Sequence, residues 1–173
     1  MIVALALALL APAAPASAPP QPAAVVDSDA AARAAGNRKA DAYRLGLALL
    51  AERWPAQVLK IRIDGAAAHA VAGLLLSGVK FHGALDADGF VQEVAALIDR
   101  TFAASTVEEV DVWATVPLDV AKGEVVAGDF ARPTSRIVFS FTARRTDRDV
   151  LQRLRAGDGV FWAADWKAGL TRR

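Results

Sequence analysis

The strongest constraint on the fold is residues 106–118, TVEEVDVWATVPL. Val110, Val112, Ala114 and Val116 alternate with Asp111, Trp113 and Thr115. A period of two places the first set on one face of an extended chain and the second on the other. That is the signature of a strand buried on one side only. Residues 136–144, RIVFSFTAR, repeat the pattern, with Ile137, Phe139, Phe141 and Ala143 as the apolar set. The two segments are expected to pair. Asp111 and Trp113 would then share the outward face with Ser140, Thr142 and Arg144, and Asp111 with Arg144 could form a cross-strand ion pair.

Helical periodicity surrounds these strands. Residues 86–104 place Phe90, Val94, Leu97, Ile98, Thr101 and Phe102 on one stripe. Asp86 or Asp88 stands ready to cap the first turn, and Gln92, Glu93, Asp99 and Arg100 are read as exposed. An earlier helix is expected from Ser28 or Asp29 to Trp54, where Pro55 stops it. Its apolar stripe is Tyr43, Leu47, Leu50 and Trp54, read as core packing. Residues 57–64, QVLKIRID, read as a strand with Leu59, Ile61 and Ile63 inward, followed by the turn signal Asp64-Gly65. Residues 66–76 suit either a buried alanine-rich helix or a strand returning from that turn. The strand is favoured, because Gly73 and Gly78 suit a bent hairpin arm. Thr146 and Asp149 suggest a capping box for a short helix through Arg155. Trp162 and Trp166 are expected to dock the tail onto the sheet.

The order of elements predicts an α+β fold. It would be an antiparallel or mixed sheet of about four strands with helices packed on one face. Residues 1–18 resemble a secretory signal peptide, with an apolar run from Ile2 to Leu10 and small residues after it, although no Lys or Arg precedes the run. Residues 19–27 read as a linker and residues 28–173 as a single domain, expected to be periplasmic or secreted. That apolar run is too short for a stable membrane span. Residues 119–134 read as a long loop joining the two strands, of a length often tied to function, although an elaborated hairpin with a small extension at residues 124–127 is the favoured reading.

Charge is uneven along a chain whose net charge is only +1. Residues 81–131 hold 2 basic and 10 acidic groups, and residues 132–173 hold 10 basic and 4 acidic. Mutual neutralisation within the fold accounts for this, and without a lysine-rich run no nucleic-acid partner is expected. There is no cysteine, which excludes disulfides, thiolate nucleophiles and zinc–thiolate sites. No G-x-S-x-G, calcium loop or phosphate loop is present, no cofactor is expected, and catalytic residues remain unknown. His82 with Asp86 and Asp88 has a spacing that could hold a metal, but helix capping already explains both aspartates, so no metal site is assigned. The reading is a non-catalytic binding or structural domain for an unknown protein or small-molecule ligand. Its candidate binding residues are Asp111, Trp113 and Arg144. The alternative is an exported hydrolase or metal-dependent enzyme using His82 and nearby carboxylates.

Overall fold

The computed structural model describes residues 38–66, 69–118 and 135–170. The leader, the linker, the start of the first helix and the long loop of the sequence reading lie outside them. The elements in chain order are α1 (Lys39–Leu50), β1 (Ala56–Asp64), β2 (Val71–Phe81), α2 (Ala87–Ala104), β3 (Glu109–Pro117), β4 (Ser135–Arg144), α3 (Val150–Ala156), β5 (Phe161–Trp162) and α4 (Ala164–Leu170). The architecture is α+β with a mixed five-stranded sheet in the order β1-β2-β3-β4-β5, one strand more than expected. Only β2 and β3 run parallel, because α2 carries the chain across between them.

Of residues 66–76, those from Val71 on are strand, as favoured. Gly65, at φ +88°, makes the turn out of β1, and the chain returns antiparallel as β2. A helix would have been apolar on nearly every side. As a strand, Ala72, Leu74 and Leu76 are buried on one face, while Gly73 and Leu75 lie on the other.

The alternation in β3 is as read: Val110, Val112, Ala114 and Val116 are buried. They meet α2, whose Phe90, Val94, Leu97, Ile98 and Thr101 are all buried. Phe90 is the centre of an aromatic cluster, edge-on to Phe139 at 5.1 Å and to Trp166 at 5.2 Å, with Trp162 at 5.9 Å. Trp162 and Trp166 thus dock the tail, and the Trp166 indole N–H donates to the Gly78 carbonyl at 2.8 Å. The Asp86 carboxylate accepts from the Gly89 amide at 2.7 Å and caps α2. Asp86→Ala is expected to cost about 1 kcal/mol, read as a lowered urea midpoint. At the other end of α2, Arg145 donates to the carbonyls of Phe102, Ser105 and Val107 and stacks on Phe102, which fixes the short link into β3.

Five local expectations change. In α1 the buried leucines are Leu45 and Leu49, and Tyr43, Leu47 and Leu50 are exposed. The small Ala42 packs on the core, and Gly46 faces β1, where an added Cβ would make ordinary contact with Ile61 Cδ1 at 3.7 Å. In β1, register shifts on either side of Val58 turn Leu59 out to solvent and set Val58 opposite Leu76. In β4, a shift opposite Ala114 and Thr115 buries Val138 and leaves Ile137 exposed. In α2, Glu93 is 6% exposed rather than solvated. The capping box at Thr146 does not form. Asp149 is left-handed, with no cap bond from its side chain, and Asp147 instead accepts from the Arg144 amide at 2.9 Å and from Arg153 at 2.5 Å. Gly157 ends α3 as expected, at φ +78°.

Candidate functional site

The buried alternation fills one side of the sheet. Residues of the other side form transverse rows set by strand register. Arg62, Gly73, Asp111 and Thr142 make one row, and Lys60, Leu75, Trp113 and Ser140 make the next. Ser77, Thr115 and Ile137 follow. On this face Leu75, Trp113 and Thr115 are half-buried and Lys60, Arg62 and Ile137 are exposed.

Trp113 leans across β2 toward Gly73. A Cβ on Gly73 would stand 3.0 Å from Trp113 Cζ3 and 2.9 Å from Arg62 Nε. The glycine therefore makes room for the ring and the guanidinium together. Arg62 sits 5.4 Å from the Trp113 ring centroid, within cation–π range, and its Nε reaches Asp64 at 3.1 Å. Leu75, Thr115 and Ile137 complete a shallow cleft of about 350 Å³. An aromatic ring with a guanidinium over it, beside apolar side chains, can grip an apolar side chain at its uncovered part.

Of the three sequence-predicted binding residues, the structure places all on this face and only Trp113 in the cleft. Asp111 accepts from the Thr142 hydroxyl at 2.6 Å, and Arg144 lies 3.5 Å from Glu109. The expected Asp111–Arg144 pair is displaced because the register sets Arg144 opposite Glu109 and Thr142 opposite Asp111. Sequence reasoning missed Arg62, Gly73, Leu75 and Ile137. Arg62 was read as outward, but no local signal told which residue it would stack on.

The other candidate chemistry is dispersed. Asp88 is held by Arg155 at 2.9 Å and by Gln92 at 2.5 Å, and the hydrogen bond from Arg155 lowers its pKa. Asp86 is engaged as the cap, and the His82 amide donates to the Pro55 carbonyl at 2.6 Å. Ser77 is buried and accepts from the Val79 and Lys80 amides. Among the described residues, no three or more His, Asp or Glu side chains are grouped to hold a metal ion. No described helix is long and apolar enough to cross a membrane. No protein-family model, curated protein or solved structure matches the chain.

Proposed function

We propose that this chain is an exported, non-catalytic binding domain that uses the open sheet face around Trp113 as its contact surface. The observation that carries the reading is the seating of Trp113. Its ring lies half-buried over Gly73, under Arg62 and beside Leu75 and Ile137, lining an open cleft. Large aromatic and arginine side chains on one apolar patch supply contact area at small entropic cost, which suits recognition. Export is supported by the apolar run from Ile2 to Leu10 and the small residues after it. Mass spectrometry of the mature N-terminus checks that part.

The binding reading is tested by site-specific photo-crosslinking in the native cell. A benzoylphenylalanine replacing Ile137 is expected to trap a discrete product, and one replacing Asp99, exposed on α2, is not. Adding Trp113→Ala should reduce that product about tenfold while changing stability by no more than about 2 kcal/mol. Equal products from both positions, or a yield indifferent to Trp113, would count against the assignment.

A further inference from the structure

A second surface lies at the free edge of the sheet. Among the described residues β1 is a terminal strand, so one row of its backbone N–H and C=O groups has no partner strand there. Beside that edge, α1 presents Tyr43, Leu47 and Leu50 at 70%, 54% and 74% exposure. Together they line a groove of about 630 Å³, walled by the α1 side chains and floored by Ile61 and Ile63. We propose that this groove takes an extended peptide segment of a partner protein, added as a sixth strand, with alternating acidic and apolar side chains.

The pattern follows from geometry. The register of β1 with β2 is unbroken from Lys60 to Asp64. A strand added there sets its side chains alternately on the two faces of the sheet. Those opposite Ile61 and Ile63 fall on the helix side, against Leu47 and Tyr43, and are apolar. Those opposite Lys60 and Arg62 fall on the open face and meet cations. Lys39 lines the same groove, and neither Lys39 nor Lys60 has an ion pair among the described residues. Asp64 is the acidic residue lining the groove; it pairs with Arg62, so those two offset one another and Lys60 and Lys39 are left as the unneutralised cations. Carboxylates on the partner are therefore the complementary side chains.

A second copy of this chain fits less well. Consider antiparallel pairing of two β1 edges that keeps both helix layers on one side. Centred on Arg62, it sets Arg62 against its own copy and Lys60 against Asp64, a carboxylate that Arg62 of its own chain already engages at 3.1 Å. Centred on Ile61, it sets Lys60 against Arg62 of the copy. Centred on Ile63, it reaches only Asp64 before Gly65, at φ +88°, turns the chain away.

The test uses the full chain and fluorescein-labelled heptapeptides that alternate valine with glutamate or valine with lysine, read by fluorescence anisotropy. The glutamate peptide is expected to bind at least about tenfold more tightly than the lysine peptide. Lys60→Glu, and separately Leu47→Ser, should each weaken it about tenfold. Both positions are exposed, and an unchanged circular dichroism spectrum confirms that the variants fold. N-methylation of alternate peptide amides should abolish binding, which separates strand addition from adsorption of charge. Ile137→Ser, on the sheet face proposed above, should leave the affinity within about twofold, so this inference can fail without the other. No binding of the glutamate peptide, equal binding of both peptides, or indifference to N-methylation overturns the proposal. So does a concentration-dependent dimer in sedimentation that Lys60→Glu dissociates.

Discussion

Replacing Phe90 with alanine is expected to lower the unfolding free energy by about 4 kcal/mol. The ring is fully buried and touches elements from both ends of the fold: Phe139 of β4, Trp162 of β5, Trp166 of α4 and, at 6.5 Å, Phe81 of β2. Removing it opens a cavity bounded by rings from separate elements. Such a cavity cannot collapse without moving the sheet and the tail together. Edge-to-face pairs add about 0.5–1.5 kcal/mol each beyond buried area, so the loss should fall at the upper end for a phenylalanine. Phe90→Leu keeps most of the volume and should cost clearly less. Urea unfolding followed by circular dichroism measures both. A loss below about 2 kcal/mol for the alanine variant would show that the tail is not fastened through this ring.

The second large effect is a stability that falls as pH rises. Glu93 is buried beneath β1, where its carboxylate accepts the Ala56 amide at 2.6 Å and its other oxygen, Oε2, has no hydrogen-bond partner among the described residues. Burial disfavours the charge more strongly than the Ala56 hydrogen bond favours it, and the pKa is pushed up from 4.5 to about 7. The folded state therefore holds this proton over a range in which the unfolded chain has released it. Where the native state binds more protons, stability decreases with pH. The contribution is whole below pH 4.5, shrinks as pH rises through about 7 and is flat beyond. At about 1.4 kcal/mol per unit, roughly 3 kcal/mol is lost over that window. Glu93→Gln keeps an oxygen for Ala56 and cannot ionise. Its stability should lose this component of the pH profile and exceed that of the parent at pH 8. Parallel profiles for parent and variant between pH 4.5 and 8 would remove Glu93 as the cause.

Both residues bear on what a linear sequence discloses. The alternation in β3 and the stripe in α2 were legible because each is a period matched to one face, and burial followed. Glu93 was legible in part: it stands three residues after Phe90 and so falls within the buried stripe, but its charge argued for solvent. The geometry resolves that conflict by giving it a backbone donor from another element. Val138 and Leu59 were illegible for a different reason. Each sits at a register shift that depends on the neighbouring strand, and a shift of one residue exchanges the faces. α1 was misread because two apolar stripes overlap on it. The side that reaches the core carries the small Ala42 and Gly46 as well as Leu45 and Leu49, a mix that weakens its apolar signal. On the open face, Trp113 was visible as an outward aromatic. Its seat was not, since Gly73 and Arg62 reach it only through the pairing of three strands.

The parallel junction between β2 and β3 also bears on how the chain assembles. β1 and β2 pair antiparallel across only residues 65–70, whereas β3 and β4 pair across the longer stretch 118–134. The β1–β2 pairing closes early because little chain entropy is lost before contacts form. The β2–β3 ladder joins segments separated by all of α2. Folding is thus expected to start from the β1–β2 pair, with formation of the β2–β3 ladder as the slow step. Substitutions at that seam, such as Leu74→Ala or Val112→Ala, would then slow refolding. Those at the outer strands β4 and β5 would chiefly accelerate unfolding.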